Sequence, residues 1–592
     1  MRAFGRNVGM RRSGRYFRKL ALLAALPLGL MGFGGQGRAD VVTDVNTQLL
    51  NIVANSSPGL IDGPPNVARE IAMVDGAMFD AVNAATGSTY QSLYYTGGAV
   101  SNASAQAAAL SAAYTVMNNL YGPGSLYDTY KGVTGTNFYG SSSPYAGTGV
   151  GPSLTQYAAM QVDIAVIGAQ LSALASSPQV TNGTALGTAV ANAMIVGRAT
   201  DNGAAAMLST LTPYVPADSG TTPGVYVPPA SRPALEPSAG TVTPFVATTG
   251  QIAAAIAATM PGPAALASAA YALQLLQTEC QGSSVALSTS IAAKCTANGF
   301  VPQTAAQATA ALYWNDPGGT YQPPGHLLQI ADAAASQTGL GLLQHAQEDA
   351  LVGAAMSDAG AAAWSGKFAD NRWRPITAIT DCSVAWAALN PNFTTCDPTW
   401  NSLIATPPHP DYVAGHPAFS GAAATVLDYF FGTDAVQVTV ASQAYCNAGS
   451  ATRDEAGNTI ACSIGSTTYS IANASDCNNA GTQPPLLADF TANPLYNGSP
   501  LICPISVTFA GFQAASSGDL GSTFSRVAGG IHSPQAVTDA LALGNAIGAV
   551  VAADAGISNN PNIPEPGTLA VFAVALAGVA MSRRRGVLAM VR

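Results

Sequence analysis

Charged residues make up only 9% of the 592-residue chain, against 48% hydrophobic ones, and no long run of either sign occurs. A chain so rich in apolar side chains and so poor in charge has the composition of a folded protein, not a disordered one. Basic residues are scarcer still once the two ends are set aside. Between Asp40 and Ile563 there are 10 of them against 30 acidic ones, a net charge of about −20. Such a body is a poor partner for nucleic acid or anionic lipid. Histidine occurs five times, and no internal repeat is present. The length allows several domains or one large helical body.

The missing positive charge sits at the ends. Arg2, Arg6, Arg11, Arg12, Arg15, Arg18 and Lys19 lead into the apolar run "LALLAALPLGLMGF" and a small-residue site near Ala39. This is the pattern of a cleaved secretory signal over residues 1–39. At the other end, "PNIPEPGTLAVFAVALAGVAMSRRRG" joins Pro564, Glu565 and Pro566 to a short apolar run and the stop Arg583, Arg584, Arg585. The run is shorter than the roughly 20 residues of a spanning helix. Residues 561–592 resemble the PEP-CTERM sorting signal of Gram-negative bacteria. That resemblance implies a tail held transiently in the membrane, an exosortase as processing partner, and a cell-surface or extracellular product.

No C-x-x-C spacing occurs among the eight cysteines, all of which lie between Cys280 and Cys503. In an exported chain this points to disulfides, not to thiolate metal ligands. Cys280 with Cys295 and Cys382 with Cys396 are local pairs; the partners of Cys446, Cys462, Cys477 and Cys503 are not legible.

Helical periodicity dominates. Val67, Ile71, Val74, Met78 and Val82 predict a core-facing helix over 66–86, and Ala-rich segments predict others at about 103–120, 155–175 and 183–206. The Pro-rich stretch 211–250 breaks the pattern and reads as an irregular arm with apolar side chains to bury. Helix resumes at about 251–277, 303–313 and 339–370. Residues 432–503 read as a disulfide-held irregular insertion with some strand. A last helix follows, with Ser533 at the N-cap and Pro534 at its first position. The chain divides on this reading into 40–250, helical with the arm, and 251–560, helical with the site.

Three short motifs carry the remaining chemistry. In "WSGKFADNRWRP", Lys367 and Arg374 are two helical turns apart, and Pro375 biases Arg374 out of the helix, so two cations converge from a helix end and the following loop. In "VAGHPAFSG", Gly415 lets backbone approach a ligand and His416 stands at a helix start, where free N–H groups favour an anion. In "FSRVAGGIHSP", Arg526 offers a planar set of donors and His532 can act as nucleophile or metal ligand. Each motif is weak alone; isolated charge clusters usually solvate helix ends.

Together, the order K-x6-R-P, G-H, S-R-x3-G-x-H resembles the vanadium-dependent haloperoxidases and the related type 2 phosphatidic-acid and acid phosphatases. "PPGHLLQIA", "MSDAGAAAWSGKFADNRWRPITAI" and "AMVDGAMFDAVNA" are similar to the secreted bacterial haloperoxidase branch, over most of 41–560. The resemblance implies an all-α fold of helical bundles around an oxyanion site with vanadate as cofactor. It makes Lys367, Arg374 and Arg526 ligands of the vanadate oxygens, with Gly415 donating a backbone N–H. His532 becomes the apical vanadium ligand and His416 the acid–base partner, while Lys367 also polarises bound peroxide. Trp364, His409, Ala414 and Ser525 line the pocket. Histidine at position 409 matches bromide-oxidising members. The reaction implied is halide oxidation by hydrogen peroxide to hypohalous acid, without metal redox, on an organic acceptor the sequence does not indicate. The alternatives are a secreted phosphatase, with His532 attacking phosphorus and His416 protonating the leaving group, and an inert surface protein whose motif side chains do not converge. Two positions depart from the family pattern. Ala414 replaces the usual serine before Gly-His, and Ala536 replaces an aspartate four residues after the last histidine, leaving open which carboxylate orients His532.

Overall fold

The apolar spacing at 66–86 folds, in the computed structural model, as the helix Pro64–Thr86. Proline occupies its first turn, where a missing N–H costs nothing, and Gly87 ends it in the left-handed region (φ 118°). Val67, Ile71, Val74, Met78 and Val82 are fully buried as expected, and so is nearly every other residue of the helix. A helix buried all round lies at the centre of a large protein. Its main neighbour is the long helix Leu342–Asp370, which approaches so closely that a Cβ at Gly353 would lie 3.1 Å from the Ala72 backbone.

The structure describes residues 41–557, except Pro58, Pro144, Pro213, 216–221, Ala230, Ser231 and most of 443–505, where only the short antiparallel pair 452–453 and 459–460 is described. The signal segment, the sorting tail and Cys446, Cys462, Cys477 and Cys503 lie outside the described residues.

Helices Val41–Ser56, Ala105–Tyr121, Leu154–Ser172 and Pro178–Arg198 complete a first bundle around the central pair. Beyond Leu342–Asp370, the helices Gly415–Phe431 and Pro534–Asp554 pack with backbone contact. A Cβ at Gly544 would lie 2.3 Å from the Ala418 carbonyl, and one at Gly548 would lie 2.6 Å from that of Ala422. Small residues at these crossings let the axes approach. The fold is all-α, with strands Val438–Ala441 and Ser506–Phe509 paired antiparallel at the root of the insertion. Both local disulfides form, Cys280–Cys295 and Cys382–Cys396.

The Pro-rich stretch packs as an arm: Tyr226 N–H donates to Asn371 and Leu235 N–H to Pro408. Two expected helices are interrupted. The one placed at 183–206 breaks into Pro178–Arg198 and Gly203–Ser209, because the Asp201 carboxylate pairs with Arg69 and Arg198 and accepts from Gly203 N–H. The one at 251–277 stops at Thr259 and restarts at Ala269, across Pro261, Gly262 and Pro263. Ser533 sits at the N-cap position, but its side chain does not cap the last helix.

Candidate active site

The long helix ends at Asp370 because Asn371 turns left-handed (φ 46°), which leaves Lys367 in the last turn and Trp364 one turn earlier. Arg374 is extended ahead of Pro375, as a residue before proline should be. Both cations are buried, and both reach the segment 408–411. Lys367 Nζ donates to the Pro410 carbonyl at 2.9 Å, and Arg374 Nε to the His409 carbonyl at 2.6 Å. The rest of the Arg374 fork donates to Ile531 O at 2.7 Å, His532 Nε2 at 3.0 Å and His409 Nδ1 at 2.9 Å. Arg526, on helix Ser522–Ala528, is buried and donates to Ser525 Oγ and Ala311 O. Ser525 thus holds Arg526. The Trp364 ring lies 4.9 Å from that of His409, and its indole N–H donates to Leu235 of the arm.

These contacts fix the His532 tautomer. Guanidinium only donates, so Nε2 must accept from Arg374, and the ring proton is on Nδ1. Nδ1 lies 2.7 Å from Asp411 Oδ1, a charge-assisted bond. Asp411 is itself held by Ser533, whose hydroxyl donates to Oδ2 at 2.7 Å and whose N–H donates to Oδ1 at 3.3 Å. That hydroxyl is therefore unavailable as a helix cap. Burial raises the Asp411 carboxyl, opposed by Arg374, Ser533 and Lys367. Burial and then the field of Arg374 and Lys367 push His532 well below its ordinary value, and burial, Lys367 and Arg374 do the same to His409. Both imidazoles are neutral bases in a strongly positive pocket.

The helix Gly415–Phe431 starts at Ala414 without a side-chain cap. A Cβ on Gly415 would lie 3.1 and 3.2 Å from the Trp364 ring, so any larger residue there has to displace the indole. Ala414 N–H donates to Ala536 O at 2.9 Å, so the two positions that depart from the expected motif touch each other, both fully buried. His416 Nε2 lies 3.6 Å from Asp316 Oδ2, and Asp316 Oδ1 is 3.0 Å from His326 Nδ1. Burial and then Arg526 depress His416 to about 4, against the raising pull of Asp316. Burial pushes Asp316 up, but His326 and His416 outweigh it and hold the carboxyl far below the usual range.

Residues 348–557 match the family model of the VCPO second helical-bundle domain, and residues 562–585 match the PEP-CTERM protein-sorting motif. Among solved structures, the chain is similar to the first bacterial vanadium-dependent iodoperoxidase, at a TM-score of 0.54 and 18% identity over 88% of this chain and 98% of that one. It is similar also to a bacterial vanadium-dependent chloroperoxidase in its holo form, at 0.53 and 14% over 85% and 94%, and in its apo form, at 0.51 and 13% over 85% and 96%. The fold is that of the vanadium haloperoxidases. No curated protein matches. The sorting motif marks the chain for export and membrane-anchored sorting and implies an exosortase as its processing partner.

Within that haloperoxidase fold the pocket fits a compact oxyanion. Buried cations surround a histidine whose unprotonated Nε2 faces them, and their field falls on two neutral imidazoles. An anion is favoured in that positive field, where Asp411 is the carboxylate set against Arg374 and Lys367. Sequence reasoning missed Asp411, Asp316 and the place of His326. Asp411 had a local signal, an acid two residues after His409 and five before His416; Asp316 had none beyond being a lone acid in "YWNDPGG".

Proposed function

We propose that this chain is a vanadate-dependent haloperoxidase that oxidises halide with hydrogen peroxide to hypohalous acid, bromide in preference to chloride. The observation that carries the reading is His532, with its Nε2 lone pair turned to Arg374 and its Nδ1–H held by Asp411. Lys367, Arg374 and Arg526 would hold the oxyanion, the Gly415 N–H would support it from the open helix start, and His532 Nε2 would ligate vanadium. Asp411 keeps that nitrogen basic, as carboxylates behind metal-bound histidines do. When bound, vanadate supplies the Lewis-acid centre that activates peroxide.

Turning peroxide, halide and a proton into hypohalous acid and water requires a proton donor at the leaving oxygen. His416 would relay that proton, and Asp316, bridging His416 and His326, opposes the burial and the Arg526 charge that keep the imidazole neutral. His409, packed on Trp364 and bonded to Arg374, sits where bromide oxidation expects an imidazole. The product is released at the cell surface or outside the cell after tail processing.

A second reading shares the same observation, since a basic Nε2 is also a phosphoryl acceptor. Bromide, iodide and chloride oxidation should therefore be measured with and without vanadate, beside hydrolysis of an aryl phosphate, on mature protein freed of metal and phosphate. Vanadate-dependent bromination that vanishes in His532→Ala is the expected result. Phosphate release inhibited by vanadate would move the assignment to phosphatase, and silence in both would favour an inert surface protein.

A further inference from the structure

The central helix Pro64–Thr86 carries six polar side chains into the core, and five are matched. Arg69 pairs with Asp201, and Glu70 accepts from Tyr121 and Tyr127. Asp80 accepts three backbone N–H groups, Asn66 donates to Asp62 and Asn83 to Tyr90. Asp75 is the exception: it is fully buried, and neither carboxylate oxygen has a hydrogen-bond partner. An isolated buried carboxylate is costly, so something must compensate it.

The groups whose charge acts on Asp75 are Asp349, Asp332 and His345. Asp332, His345 and Asp349 each offer a ligand atom, all within 4.8 Å of one another, and His345 Nε2 lies 3.1 Å from Asp332 Oδ1 and 3.3 Å from Asp349 Oδ2. Asn46, on the first helix, donates to both carboxylates, while its own Oδ1 is buried without a partner. Turning that amide over presents an oxygen to the cluster in place of the donor. Three carboxylates against one imidazole leave the cluster negative even with the imidazole protonated. Asp332 is the least buried member, at 13% side-chain exposure, and gives a path from solvent.

We propose that Asp332, His345 and Asp349 bind one divalent cation of the Zn2+ or Mn2+ kind, with the buried Asp75 carboxylate adding its charge behind them, a site apart from the oxyanion pocket that staples Gln322–Thr338 to Leu342–Asp370 beside Pro64–Thr86. The mixture of imidazole and carboxylate selects this class over Ca2+ and Mg2+, which take oxygen. Zinc bonds of roughly 2.0–2.1 Å in a tetrahedron put ligand atoms about 3.3 Å apart, the spacing around His345 Nε2.

The test uses mature protein stripped with chelator, exposed to micromolar free Zn2+ or Mn2+, desalted and analysed for metal content and thermal unfolding. One equivalent retained and a Tm raised by about 5 °C or more are expected. Asp75→Asn should bind at least about tenfold more weakly. Without metal it should melt no lower than stripped wild type, because the amide removes a buried charge. His532→Ala should retain the metal. Failure of stripped wild type to retain either ion overturns the proposal whether or not any variant folds. Undiminished binding by Asp75→Asn, or loss of metal in His532→Ala, overturns it as well.

Discussion

Asp411→Asn separates two effects that act in opposite directions on the same pocket. Removing a negative charge near Arg374 and Lys367 strengthens attraction for any anion. For a separation on the order of 7 Å at an effective dielectric of about 20, that gain is about 2 kcal/mol. The same substitution replaces a charge-assisted bond to His532 Nδ1–H by a neutral one, at a cost of about 1 to 1.5 kcal/mol. That loss is felt only where Nε2 makes a bond, to vanadium, and not by phosphate in its ground state. The ratio of vanadate to phosphate affinity should therefore fall roughly fivefold to tenfold, while phosphate affinity holds or rises. Equilibrium dialysis of vanadate with phosphate as competitor reads this directly, and equal melting temperatures confirm an intact fold. A ratio unchanged within about twofold would refute the claim that Asp411 tunes His532.

Glu279 is fully buried with both carboxylate oxygens unpartnered, and burial raises it from 4.5 to about 7. The fold keeps a proton that the unfolded chain releases, so this stability is present below about pH 4.5 and lost as pH rises through 7, on the order of 3 kcal/mol at most. Thermal unfolding of Glu279→Gln should gain on wild type across that window and run parallel to it above; a constant difference at all pH values would contradict the assignment. Gly415→Ala pushes a methyl into the Trp364 ring at 3.1 Å and should cost about 1–3 kcal/mol in denaturant unfolding; an unchanged midpoint would mean that the indole moves freely. Arg374→Lys cannot span His409 O, Ile531 O and His532 Nε2 at once, so vanadate affinity should drop by roughly a hundredfold or more. Near-normal binding would show that a point charge suffices.

What could be read in the sequence was local. The helices Pro64–Thr86 and Leu342–Asp370 follow from periodicity and their end residues, the extended Arg374 from Pro375, and both described disulfides from short spacing. What could not be read was polar pairing across the fold. His532 meets Asp411 and His416 meets Asp316, each across a hundred residues or more, and a buried acid leaves no periodic trace of its partner. The same cause defeated two local readings. Ser533 gives its hydroxyl to Asp411 instead of capping a helix, and Asp201 breaks a helix to reach Arg69.

The segment 408–416 explains why the departures at Ala414 and Ala536 leave the pocket coherent. Those alanines meet through Ala414 N–H and Ala536 O in a fully buried contact, so a larger side chain at either would need space that the other helix occupies. The carboxylate that orients His532 comes instead from Asp411. Its neighbours serve the same end, since His409 O takes Arg374, Pro410 O takes Lys367, and the chain then delivers Gly415 and His416 to the helix start. One short stretch of backbone thus registers both cations and both histidines against each other. A shift of that stretch would disturb all four together, which ties the proposed chemistry to the packing of Trp364 on Gly415 as firmly as to any charged side chain.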